Sequence, residues 1–105
     1  MTAMTAAKPA SAHTASANAA VAGRLPLDDR ADFERATRGL LAQLDPPVVE
    51  GPGGRPLWDL RAFDFLDSEP PPEVNPSLWR QAQLNRCHGL FEVVDGIYQV
   101  RGYDL

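Results

Sequence analysis

The side chains of this sequence that could do chemistry are few and scattered. Cys87 and His88 are adjacent, and the other histidine, His13, lies far away near the start. A metal centre needs three or four converging ligands, of the H-x-x-x-H or C-x-x-C kind, and no such spacing occurs. A cysteine nucleophile and its base meet in space rather than as sequence neighbours, so the pair reads as a helix end. Gly51-Pro52-Gly53-Gly54 superficially resembles a phosphate loop. It lacks the Lys-Ser/Thr pair, and Pro52 removes an amide from any cradle, so it reads as a turn. Asp64 and Asp67 are three residues apart on a short helix, where a solvated face explains them. Glu69-Pro70-Pro71-Pro72-Glu73 lacks the arginine of polyproline ligands and reads as a loop. Trp58, Trp79 and Tyr98 are core or interface anchors. Catalytic, cofactor-binding and metal residues are therefore all assigned as none.

The elements that would position such groups fall into an α+β pattern. Residues 1–27 are rich in Ala, Thr and Ser, contain no aromatic residue, and predict a disordered tail, because they cannot bury enough apolar surface to offset ordering. From Asp28 or Asp29 a helix is expected to run through Phe33, Ala36, Thr37, Leu40, Leu41 and Leu44 on one apolar stripe, until Pro46-Pro47 stops it. Val48-Val49-Glu50 and Pro56-Leu57-Trp58 predict a hairpin around the glycine-rich turn, with Pro56 on an edge strand. Asp59 caps a short helix through Leu66. Asn75-Pro76 opens a helix expected to reach Cys87 or His88, with Gly89 as its αL terminator. That helix is apolar on two sides, Leu78, Trp79 and Ala82 against Leu84 and Cys87, as if contacted twice. Phe91–Val94, Asp95-Gly96 and Ile97–Arg101 form a two-residue hairpin. Its second strand, continuing towards Leu105, has no partner to follow, which makes the chain look like the opening part of something larger.

Charge narrows the partners. All 14 acidic residues and 8 of the 10 basic ones lie in residues 28–105, so that segment is acidic. A phosphate-binding or anionic-membrane surface needs the opposite sign. No stretch approaches the ~20 apolar residues of a membrane span. The N-terminus has no apolar signal region, which implies a cytoplasmic protein, and either Met1 or Met4 could initiate it. A single cysteine rules out an intrachain disulfide.

Three words stand out: Val74-Asn75-Pro76-Ser77-Leu78-Trp79-Arg80-Gln81-Ala82-Gln83-Leu84-Asn85, His88-Gly89-Leu90-Phe91-Glu92-Val93 and Gly96-Ile97-Tyr98-Gln99-Val100-Arg101-Gly102. Weaker ones lie upstream at Asp32–Ala36, Gly39-Leu40, Leu57–Leu60 and Asp64–Leu66. Together they resemble the bacterial alkyl sulfatase family of the metallo-β-lactamase superfamily, across residues 29–105. The resemblance implies a zinc-dependent hydrolase that cleaves alkyl sulfates such as dodecyl sulfate to alcohol and sulfate. It implies two zinc ions and a homodimer for the full-length protein. The family's His-x-His-x-Asp-His motif has no counterpart here, so no ligand is carried over. The implied architecture is a disordered tail at 1–27, followed at 28–105 by the truncated start of an αββα sandwich, with two main helices and β-hairpins. Substrate would then be bound only in a full-length form, and this chain alone would be inactive. The alternative is a free-standing interaction module that pairs its open strand with a homologue or with itself.

Overall fold

A computed structural model describes residues 12–102. In chain order these form helix α1 (Ala12–Ala22), helix α2 (Ala31–Thr37), strand β1 (Leu40–Ala42) and strand β2 (Val48–Glu50). A 3₁₀ turn (Pro52–Gly54), strand β3 (Pro56–Asp59) and a 3₁₀ helix (Leu60–Asp67) follow. Helix α3 (Pro76–Asn85) then leads into strands β4 (Gly89–Val94) and β5 (Ile97–Arg101). One antiparallel sheet has the order β1-β4-β5, and β2 and β3 make a second, two-stranded one. The fold is α+β, as the pattern of elements predicts.

Local chemistry explains most boundaries. Asn75 Oδ1 accepts the backbone N–H groups of Ser77 at 2.9 Å and Leu78 at 3.4 Å, and Pro76 occupies the first turn of α3, where its missing donor is harmless. Asp59 caps the 3₁₀ helix by accepting the Arg61 N–H at 2.9–3.0 Å together with that residue's guanidinium. The Asp95-Gly96 turn joins β4 to β5 as expected, closing Val94 on Ile97, but an irregularity between Glu92 and Val94 shifts the register by one, so that Glu92 lies opposite Tyr98 and Leu90 opposite Val100. The β2–β3 hairpin pairs Val49 with Trp58.

Three expectations need correction, and a fourth lies partly outside the described residues. The helix foreseen from Asp28 to Leu44 ends at Thr37, and Leu40–Ala42 is a strand on the edge of β4. The break is Gly39, at φ +77°. Its carbonyl accepts the Glu92 N–H at 2.8 Å, and a Cβ there would collide with the Glu92 carbonyl oxygen. A short apolar run satisfies helix and strand periodicity equally, and pairing with β4 decides between them. Second, part of the expected tail is ordered: Ala12–Ala22 is helical. Alanine loses almost no side-chain freedom in a helix, and Asn18 Nδ2 donates to the Pro72 carbonyl at 2.8 Å, tying α1 to the proline loop. Third, α3 stops at Asn85, and Gly89, at φ +138°, opens β4 instead of terminating the helix. A Cβ at Gly89 would lie 2.5 Å from the Ala42 carbonyl oxygen, so this glycine admits β1. Fourth, β5 is a strand from Ile97 to Arg101, and residues 103–105 of the strand foreseen to Leu105 lie outside the described residues, as do 1–11 of the tail.

The molecule is a slab 50 × 43 × 17 Å, with a radius of gyration of 17.6 Å, well above the ~13 Å of a compact chain of this length. A slab this thin has room for little interior. Among the described residues, Leu60, Leu66, Phe91 and Pro76 are buried, Phe91 being only 1% exposed. Side chains alternate across a strand, so the face of β4 and β5 opposite Phe91 carries Leu90 and Val100 outward.

Candidate functional site

The residues singled out above converge more than their spacing suggests. A cleft of about 790 Å³ lies between α2, the 3₁₀ helix and α3, and its lining includes Cys87, His88, Asp64, Asp67 and Glu69. Helix α3 contributes Pro76, Trp79, Arg80 and Gln83, and its C-cap Arg86 extends the stripe at spacings of three and four that follow the helical period. Trp79 and Phe65 stack edge to face with ring centres 5.8 Å apart, and the indole N–H donates to the Ser68 carbonyl at 3.1 Å.

Several of the convergent groups are engaged by their neighbours. Asp67 is paired with Arg86, whose guanidinium also donates to the Phe63 carbonyl at 3.1 Å. His88 Nδ1 lies 3.1 Å from the Arg86 carbonyl oxygen, while Gln43 Nε2 donates to the His88 carbonyl at 3.1 Å. Cys87 is a half-buried free thiol. Gln83 Nε2 donates to the Leu66 carbonyl at 2.7 Å. These groups fasten elements to one another. The glycine-rich loop behaves as its composition predicts: the Gly51 N–H donates to the Arg55 carbonyl at 2.7 Å and the Gly54 N–H to the Gly51 carbonyl at 3.2 Å, so both amides serve the turn. The Glu69–Glu73 loop is held by Asn18 and by the Val74 N–H, which donates to the Pro71 carbonyl at 3.0 Å.

Arginines are the residues that sequence reasoning passed over. Arg80 bridges α3 to α2, donating to the Asp29 carbonyl at 3.2 Å and to Asp32 at 3.3 Å. The Arg30 guanidinium lies over the Phe33 ring at 3.8 Å, with that of Arg80 at 5.3 Å. Hydrogen bonds from Arg80 first, and from Arg35 next, hold the Asp32 carboxyl below the usual aspartate range. The Asp59 carboxyl is lowered in the same way by Arg61. At the far end of β5, Arg101 covers Phe91 at 3.8 Å and donates to the Ala36 carbonyl at 2.9 Å. Planar, permanently charged guanidinium groups suit such bridging and stacking. The stripe on α3 was the available signal, but it names the face and not the partners.

Among the described residues, no three His, Cys, Asp or Glu side chains are placed to share a metal ion, so the donor set does not fit a zinc centre. No helix described here is long and apolar enough to cross a membrane.

A second hollow, of about 470 Å³, lies between the two sheets and is lined chiefly by apolar side chains. Leu44, Val49, Trp58, Leu90 and Val100 form its walls, and no acidic residue does.

No family model matches the chain. Individual proteins do. The chain is 50% identical over 93 residues to the alkyl/aryl-sulfatase of Saccharomyces cerevisiae, covering 88% of this chain and 14% of that protein. It is 48% identical over 101 residues to a linear primary-alkylsulfatase of Pseudomonas sp., covering 94% and 15%. Among solved structures, a stereoselective inverting sec-alkylsulfatase from Pseudomonas sp. superimposes with a TM-score of 0.79 at 52% identity, over 90% of this chain and 15% of the other. The chain thus spans about one seventh of the length of the relatives it matches. Identity near one half along almost the whole chain, with the backbone following the same course, places it in the alkylsulfatase family.

Proposed function

We propose that this chain serves as the N-terminal layer of a longer sulfuric ester hydrolase that cleaves alkyl sulfate esters, such as dodecyl sulfate, to an alcohol and sulfate. The observation behind this reading is the 48–50% identity to sulfatases over 88–94% of the chain. In that enzyme the segment opens a metallo-β-lactamase-like αββα sandwich, and the arginine-bridged cleft holds α2 and α3 in place. On this reading the zinc ligands come from elsewhere in the polypeptide, since no three His, Cys, Asp or Glu side chains among the described residues are placed to share a metal ion. The enzyme is a homodimer and cytoplasmic on this reading, and the isolated 105-residue chain is inactive.

Two measurements test this. The isolated chain, assayed for sulfate release from dodecyl sulfate and for bound zinc by elemental analysis, should show neither turnover nor stoichiometric metal. Chelator-sensitive turnover by the chain alone would refute its inactivity. A chimera in which this chain replaces the matched segment of the linear primary-alkylsulfatase should hydrolyse primary alkyl sulfates. An inactive but folded chimera would count against the family role.

One feature favours a second reading. Among the described residues β5 is paired only with β4, and Ile97, Tyr98 and Val100 along it are 59%, 57% and 81% exposed. An open edge of this kind templates strand addition, so a free-standing module could pair there with a homologue or a second copy. Sedimentation of the isolated chain distinguishes the two, because the module reading requires self-association or capture of a full-length homologue.

A further inference from the structure

The apolar groove between the sheets belongs to a surface that the chain does not complete. Trp58 is 51% exposed, Val49 46%, Leu44 47% and Val100 81%, all converging on one hollow. Isolated exposed hydrophobic residues are ordinary, but a contiguous set lining one concavity marks a contact surface. Its chemistry limits the occupant. The polar groups on its rim are Gln43, His88 and Arg101, and no carboxylate lines it. Gln43 and Arg101 are already engaged, by the His88 carbonyl and by Gln99 and the Ala36 carbonyl. The walls therefore offer dispersion and apolar burial, with no feature selecting a charged ligand.

Two observations choose among apolar occupants. The solved sec-alkylsulfatase that shares this backbone continues far beyond the match, which covers 15% of that chain. Gly102, the last described residue, itself lines the groove, so the polypeptide leaves the described region at the groove's rim. We propose that this groove seats an apolar element of the polypeptide that follows residue 105 in the longer alkylsulfatase, packed against Trp58, Leu90 and Val100. This rests on the reading that the chain is part of such an enzyme. The open edge of β5 is a separate surface, which binds through backbone groups, whereas the groove binds through side chains on the sheet face.

The test uses the chimera described above with two single substitutions. Val100→Asp places a carboxylate in the groove. Leu57→Asp places one on the same sheet as Trp58 but on the other face of β3, outside the groove lining. A charge buried without a partner is costly. Val100→Asp should therefore shorten the thermal-inactivation half-life of the chimera by about tenfold or more, and Leu57→Asp by less than about twofold. Equal tolerance of both substitutions would overturn the proposal, as would equal sensitivity. If the isolated chain sediments as a dimer that Val100→Asp dissociates, the occupant is a second copy and the proposal fails. If Val100→Asp leaves stability unchanged but raises KM for dodecyl sulfate and not for a short alkyl sulfate, the groove takes the substrate tail, and the proposal also fails. Should the chimera itself not fold, the same aspartate at the residue aligned with Val100 in the intact linear primary-alkylsulfatase gives the same reading. A folded chimera without activity, yet sensitive at Val100 and not at Leu57, would sink the family role while leaving the docking intact.

Discussion

The arginine-lined cleft and the apolar groove share Gln43, Leu60 and His88 in their walls, yet they are finished to different degrees. In and beside the cleft several charges meet a counterpart close by: Asp32 with Arg80 and Arg35, Asp67 with Arg86, and Arg30 with the face of Phe33. In the groove, Trp58, Leu90 and Val100 remain 51%, 36% and 81% exposed. Hydrogen bonds and ion pairs are short-range and directional, so neighbouring elements can satisfy them within a thin slab. Apolar burial grows with the area removed from water, and a slab 17 Å thick cannot remove enough. A chain can thus complete its polar connections and still leave its hydrophobic ones open. Exposed ion pairs of this kind each add little, so the polar side orients the elements more than it stabilises them.

Breaking the floor of the cleft should have the largest effect. Phe91 is the most deeply buried side chain, and Phe91→Ala should cost about 3–5 kcal/mol, enough to abolish cooperative urea unfolding of so small a domain. Gly39→Ala comes next. Its positive φ and the collision with Glu92 should cost about 1–3 kcal/mol and loosen β1 from β4, which amide hydrogen exchange at Glu92 would reveal. Acid should act more weakly on the polar side. The Asp32 pKa is depressed in the folded state, so its contribution is present above the unfolded value near 3.8 and is lost as pH falls through the lower folded value. Urea melts at pH 6 and pH 3 should show the normal chain losing stability on acidification and Asp32→Asn losing less of it, with Asp59 supplying part of the remaining dependence. The smallest effect is expected on the apolar side. Val100→Ala in the isolated chain should change stability by within about 0.5 kcal/mol, because at 81% exposure it has little burial to lose. A large loss there would mean that the groove is already closed, and the contrast between the two hollows would collapse.

The sequence shows some of this and conceals the rest for identifiable reasons. The Asn75-Pro76 cap, the Asp59 cap and the Asp95-Gly96 hairpin are local devices, decided within a few residues, and each forms where its residue types place it. Leu40–Ala42 could not be assigned in this way, since its apolar run suits a helix until Gly39 bends the chain towards Glu92. Alanine-rich α1 was hidden by a composition that argues against a core, because a helix can form on propensity and ties such as that from Asn18 to Pro72 without entering a core. The cleft was half visible. Cys87, His88, Asp64 and Asp67 could be named as chemically interesting, but the engagement of Asp67 and His88 by Arg86 could not be foreseen. Pairings across 19 residues or more, such as Arg86 with Asp67, Arg80 with Asp32 and Arg101 with the Ala36 carbonyl, leave no local pattern.

What the residues alone determined is the family and the short-range skeleton. Long, unusual words such as those from Val74 to Asn85 and from His88 to Val93 carry ancestry, and caps and tight turns depend on the physics of adjacent residues. Only the tertiary structure decided that Leu40 belongs to a strand, that Arg80, Arg86 and Arg101 hold the elements together, and that one side of the slab is left apolar and open. Those outcomes depend on which distant surfaces meet, and that is set by the packing of the whole chain.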